Sequence, residues 1–228
     1  MSDAEIFVIV PLYNEAAVVR ETVMPLLKAG YTVVVVDDGS SDGSSKALEG
    51  LRVVLLRHAV NLGQGAALET GMTYARRRGA KAVVHFDADG QHDGAQIAEF
   101  LGPIRRGETD VVLGSRFLRR EDAARTPWLR RVVLHGGIVV SGLFTGMWLT
   151  DTHNGFRVLS EKALAEIRLR ENGFSHATEI LGEIRRRKLR YVEMPAAIRY
   201  GAYAKAKGQP FWNSFNILID LVMEKLFR

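Results

Sequence analysis

Five short runs rich in β-branched residues alternate with longer stretches of helical character: Ile6 to Val10, Thr32 to Val36, Val53 to Leu56, Ala82 to Phe86 and Asp110 to Leu113. Strands this apolar suit a sheet covered on both faces, and the alternation is that of an α/β fold with a mostly parallel central sheet flanked by helices. The intervening helices are expected over Glu15 to Lys28, Ser44 to Glu49, Gly65 to Arg78 and Gln96 to Arg106, with stops near Gly30, Gly50, Gly79 and Gly107. Such sheets take ligands beyond the carboxyl ends of their strands. Four strand ends carry polar motifs: Pro11 to Glu15, Asp37 to Asp42, Asp87 to His92, and Gly114 to Arg116.

A chain of 228 residues that is 47% hydrophobic can bury one sizeable core. One domain is expected over 1–210, followed over 211–228 by an amphipathic helix that packs on the domain, a subunit or a membrane. With no cysteine, disulfide and thiolate chemistry are excluded, and a cytoplasmic setting is expected. The acidic start, Met1 to Glu5, lacks the order of a signal peptide. The net charge of +5 gathers in Arg76 to Arg78, Arg119-Arg120, Arg130-Arg131 and Arg185 to Lys188. Each cluster fits a solvated helix face, and together they suit phosphate-bearing partners. Nucleic acid is not expected, because no basic stripe is interleaved with stacking aromatics. Val132 to Leu149 holds no charged residue if His135 is neutral. It reads as a buried helix, an interfacial helix or a span, the last disfavoured because it would strand Asp151 to Arg157 across a membrane from Asp87.

The strongest motif is Val83-Val84-His85-Phe86-Asp87-Ala88-Asp89-Gly90-Gln91, an apolar strand that ends by presenting two carboxylates. Such a pair can hold Mg²⁺ or Mn²⁺, ions that take oxygen ligands and share them with substrate phosphates; a solvated turn is the alternative. Val36-Asp37-Asp38-Gly39-Ser40-Ser41-Asp42 ends a second strand in acids. It suits a base or ribose contact, or equally a turn with a capped helix start. Asn61 to Ala67 places small residues at a helix start, where free N–H groups suit phosphate. Neither a Rossmann glycine pattern nor a P-loop is present.

This ordered set, with Val10-Pro11-Leu12-Tyr13-Asn14-Glu15, Gly114-Ser115-Arg116 and Asp151-Thr152-His153-Asn154-Gly155-Phe156-Arg157, resembles glycosyltransferase family 2 from about Ile6 to the Lys205 to Gln209 loop. More narrowly, it is similar to the dolichyl- and polyprenyl-phosphate sugar synthases. The resemblance implies a GT-A fold and inverting, non-processive transfer from a GDP- or UDP-linked sugar to a polyprenyl phosphate, at the inner membrane face. It places Pro11, Tyr13, Glu15, Asp38, Asp87, Ala88, Lys205 and Lys207 along the nucleotide sugar. Asp87, Asp89 and Gln91 would surround the metal, with Asp89 catalytic. Arg116, assisted by Arg130 and Arg131, would meet the acceptor phosphate. Asp151 is the candidate base should the acceptor be a hydroxyl, its alternative being a cap or a partner for Arg157. His92, His153 and His176 read as plain surface or loop histidines. Many family members have Lys where this chain has Gln64, and some carry C-terminal spans beyond the catalytic domain. Membrane attachment is expected to be peripheral or through a partner, with a homo-oligomer as a further expectation. Rival readings are a same-fold transferase acting on a soluble or protein hydroxyl, and a non-catalytic nucleotide-sugar-binding protein.

Overall fold

Ile6, Val8, Val10 and Leu12 bury on one face of the first strand, and Phe7 and Ile9 on the other. This is the period-two alternation of a strand with helices on both sides. The computed structural model describes residues 1–118, 142, 146–152, 154–173 and 175–198. In chain order the elements are β1 (Ile6–Leu12), α1 (Val19–Lys28), β2 (Thr32–Asp37), α2 (Ser44–Ala47), β3 (Val54–Arg57), α3 (Gln64–Arg77), β4 (Ala82–His85) and α4 (Ile97–Arg105). They continue with β5 (Val111–Ser115), β6 (Arg157–Ser160), α5 (Glu161–Glu166), α6 (His176–Arg186) and β7 (Tyr191–Pro195).

The strands form one sheet in the order β3-β2-β1-β4-β6-β5-β7. All neighbours are parallel except β6, which runs antiparallel between β4 and β5 and sets Arg157 opposite both His85 and Leu113. One core layer joins the sheet to α3, α5 and α6, the other to α1 and α4. Within the apolar 132–149 segment, Met147 and Leu149 are buried in the first of these layers. Among the described residues no helix is long and apolar enough to cross a membrane. Arg130, Arg131, His153, Lys205, Lys207 and the helix expected over 211–228 lie outside the described residues.

The α3 helix approaches β1 closely because Gly71 faces the Ile9 side chain, where an added Cβ would overlap. An exposed helical Gly→Ala change normally stabilises by about 1 kcal/mol. Overpacking reverses that sign, so Gly71→Ala is expected to lower the urea-unfolding free energy by about 1–2 kcal/mol. A more stable variant would refute the close packing.

The start of β7 is pinned by buried Asp110. Its carboxylate accepts from the Arg190 backbone N–H at 2.9 Å, from the Arg190 guanidinium at 3.1 Å and from Lys162 at 3.3 Å. The Arg190 guanidinium, aided by its backbone N–H and by Lys162 against the opposing effect of burial, lowers the Asp110 carboxyl from 3.8 to about 2. A depressed carboxyl stabilises the fold above its unfolded value and loses that contribution as pH falls through its folded value. Asp110→Asn is therefore expected to cost about 1–2 kcal/mol at neutral pH, with solvent around the exposed partners moderating the effect. The deficit relative to wild type should shrink between about pH 4 and 2 in urea titrations. A constant deficit across that window would contradict this account.

Candidate active site

The polar motifs gather at one end of the sheet because β1, β2 and β4 are parallel and end together. The loops after β1 and β2 are fastened to each other. Asn14 N–H donates to Ser40 Oγ at 3.0 Å, Glu15 N–H to Ser44 Oγ at 2.9 Å and Ala16 N–H to Asp42 at 2.9 Å, while Asn14 Oδ1 accepts from Ser41 N–H at 2.9 Å. The segment they hold is a turn, with Asn14 in left-handed backbone at φ of +54°, and α1 starts only at Val19. They also leave Tyr13 projecting, 48% exposed, above the strand ends.

Asp38 is buried. Its oxygens accept from His58 Nδ1 at 2.7 Å, Leu62 N–H at 2.9 Å and Gly63 N–H at 2.7 Å. The other His58 nitrogen meets Thr70 Oγ1 on α3 at 2.9 Å. Asp38 thus ties the 58–63 loop to the end of β2. Gly39, with φ of +74°, lets that loop pass where a Cβ would meet the Val60 carbonyl carbon at 2.7 Å. The helix start at Gly63 to Ala67 is not open to phosphate as expected, since Gly65 and Ala66 N–H both donate to the Asn172 carbonyl.

The carboxylates of Asp87 and Asp89 follow β4. Gln64 Nε2 donates to Asp87 Oδ1 at 3.0 Å, and His92 Nε2 lies 3.1 Å from Oδ2. Gly155, just before β6, presses on the same carboxylate, where an added Cβ would stand 2.5 Å from Oδ2 and 3.0 Å from the carboxyl carbon. Burial opposes the charge on Asp87, yet the His92 hydrogen bond and the positive field that includes Arg157 outweigh it and hold the carboxyl below its ordinary range. Asp89 goes the other way: burial first and the Asp87 charge second push it up to about 6. Its Oδ1 accepts from Gln91 N–H at 2.9 Å, which brings Gln91 to the pair. Between them, Ala88 is buried and its carbonyl accepts from Thr22 Oγ1 at 3.1 Å.

Two neighbouring carboxylates, Asp89 raised by burial and by the charge of Asp87, form an oxygen donor set suited to a hard divalent cation, with Gln91 held beside them by its backbone N–H. The close approach that only a glycine at 155 permits adds a shaped wall to that set. These residues fit Mg²⁺ or Mn²⁺.

Arg116, at the end of β5, is buried and forked onto Asp151. Nε donates to Oδ2 at 2.6 Å, Nη2 to Oδ1 at 2.7 Å, and the Arg116 backbone N–H to Oδ2 at 3.1 Å. Asp151 therefore partners Arg116 by hydrogen bonds rather than capping a helix or bonding to Arg157. Arg157 is itself buried behind the carboxylates, with Nη2 3.5 Å from the Thr152 carbonyl. Burial brings it down to about 10, so it stays charged at neutral pH. His92 and His176 are not surface histidines: both are buried. His176 falls to about 4 and His85 to about 3, each through burial first and then the Arg157 charge, so both are neutral at pH 7.

Pro11, Tyr13, Glu15, Asp38, Asp87, Ala88, Asp89, Gln91, Arg116 and Asp151 thus fall along one rim of the sheet. The sequence reading did not name His58, and it named Gln64 and Gly155 only within motifs, without a role at the carboxylate pair. Gly155 could have been found as a glycine at the mouth of a polar strand start, where close backbone approach is the usual reason.

Fold comparison gives the class. The chain resembles glucosyl-3-phosphoglycerate synthase from Mycobacterium tuberculosis, crystallised with Mn²⁺, UDP and phosphoglyceric acid, with a TM-score of 0.67 and 18% identity over 95% of this chain and 78% of that one. The fold is that of a GT-A glycosyltransferase. The chain belongs to glycosyl transferase family 2, whose family model matches residues 7–168. It is 30% identical to the UDP-N-acetylglucosamine--dolichyl-phosphate N-acetylglucosaminyltransferase of Methanococcus voltae, over 99% of this chain and 98% of that protein. It is 29% identical to the undecaprenyl-phosphate mannosyltransferase of Micrococcus luteus, over 83% and 82%.

Proposed function

We propose that this glycosyltransferase moves a sugar from a nucleotide-sugar donor to a polyprenyl phosphate, with inversion and with a divalent cation held by Asp87, Asp89 and Gln91. The observation that carries the reading is the Asp87–Asp89 carboxylate pair after β4, with Asp87 held by Gln64 and His92 and walled by Gly155. When bound, the cation supplies charge neutralisation of the diphosphate leaving group. Relatives named for dolichyl-phosphate and undecaprenyl-phosphate acceptors support the choice of acceptor.

In this reading Pro11, Tyr13 and Glu15 flank the nucleotide, and Asp38 keeps the loop after β3 against the base side. A phosphate oxygen of the acceptor attacks the anomeric carbon as the bond from that carbon to the diphosphate oxygen breaks, releasing the nucleoside diphosphate. The acceptor is already ionised, so no proton need be removed, and positioning and charge stabilisation carry the rate. Asp151, with both oxygens on the Arg116 fork, acts as the counter-charge that fixes Arg116 toward the acceptor phosphate rather than as a base. Working at a lipid acceptor places the enzyme peripherally on a membrane surface.

Incubation with labelled UDP- and GDP-sugars in Mg²⁺ or Mn²⁺, with a short polyprenyl phosphate, is expected to carry label into the organic phase. Label that stays in water on a soluble glycan or peptide would replace this acceptor with a hydroxyl.

A further inference from the structure

The carboxylate of Asp87 is gripped from three sides, two of them by elements distant in sequence. Gln64 at the first position of α3 donates to one oxygen, His92 from the loop after β4 meets the other, and Gly155 before β6 closes the side between. A carboxylate offers about four lone-pair sites, so one N–H on each oxygen fixes its rotation and leaves sites for a cation.

His92 is shaped for this task. Its ring is buried against Phe86 and Phe156, with centroid separations of 5.6 and 5.4 Å. Its Nδ1 is buried without a hydrogen-bond partner. A bare N–H in that position would be the costlier group to bury, so the neutral tautomer carries its proton on Nε2, the nitrogen that faces Asp87. The aromatic packing fixes the ring, and the ring fixes the carboxylate. Gln64 does the same work from α3 with a neutral amide, which orients Asp87 without offsetting its charge. The start of α3 is itself held by Asn172, whose carbonyl accepts from Gly65 and Ala66 N–H at 2.8 and 3.3 Å.

We infer that Gln64 and His92 are positioning residues which lock Asp87 in the rotamer that receives the divalent cation, an inference that rests on the proposed metal site. Ligating carboxylates commonly depend on such outer hydrogen bonds, and losing them typically weakens metal affinity 10- to 100-fold.

The test is Mn²⁺ titration of the full chain followed by the electron paramagnetic resonance signal of free Mn²⁺, with thermal midpoints measured alongside. Gln64→Leu and His92→Leu each remove the donor, and His92→Gln keeps an N–H near the reach of Nε2. The expected result is Mn²⁺ binding weakened about 10-fold by each leucine variant and about 100-fold by the pair, with His92→Gln within about 3-fold of wild type. A purely structural role would lower the thermal midpoint and leave the Mn²⁺ affinity of the folded protein unchanged. Wild-type affinity in the leucine variants would overturn the positioning role while leaving the metal site standing. No Mn²⁺ binding by wild type, with or without UDP, would overturn both.

Discussion

Asp89→Ala is expected to lower kcat/KM by about 1,000-fold or more, equivalent to about 4 kcal/mol of lost transition-state stabilisation. The expectation follows from where the carboxylate stands. Burial and the neighbouring Asp87 charge already raise Asp89 to about 6, so the pair is crowded when no cation offsets it. Among the described residues its hydrogen bond is the one from Gln91 N–H, and little of the fold depends on it. The thermal midpoint of the variant should therefore hold or rise while activity disappears, the usual sign of a site kept for function at the expense of stability. Equal losses of folding and activity would make Asp89 a structural residue instead.

Gly155→Ala is expected to reduce kcat/KM by about 100-fold, from a single added methyl group, because displacing a reacting or ligating group by about 1 Å has effects of that size. Gly155 does not need left-handed backbone, so strain is not the cause. The methyl would meet Asp87 Oδ2 at 2.5 Å, and the carboxylate would have to leave the grip of Gln64 and His92. Steady-state kinetics at several Mn²⁺ concentrations checks this, and part of the loss should be recovered at high metal. An alanine variant with wild-type kinetics would show that Asp87 has room to spare.

Much of the sheet was legible because β1, β2 and β4 are apolar at nearly every position, and β2 and β4 run out into acids. The five expected strands appear within two residues at each end, as with Thr32–Asp37 and Ala82–His85. The β6 strand escaped notice for a physical reason. It is four residues long, opens with a buried arginine and pairs antiparallel with two strands far away in sequence, so no local pattern announces it. The start of α1 was misplaced because Ser40, Asp42 and Ser44 hold Asn14 to Ala16 as part of a loop against the end of β2, a long-range contact that periodicity does not see.

At the site, the carboxylate pair could be read from the chain, but the residues that aim it could not. His92 and His176 read as plain surface or loop histidines by residue type, and only the packing of Phe86 and Phe156 and of the 171–173 loop shows them buried. The hydrogen-bonded fork of Arg116 on Asp151 is likewise a contact across 35 residues that local spacing does not show. The small residues at the start of α3 looked like a phosphate site and instead receive the Asn172 carbonyl.

The most direct test of the whole account is release of nucleoside diphosphate from the cognate donor, measured with metal and polyprenyl phosphate each withheld in turn and with Asp89→Ala alongside. Release that requires both additions and is lost in the variant is the predicted result. Release that proceeds without metal, or no donor binding under any condition, would contradict it.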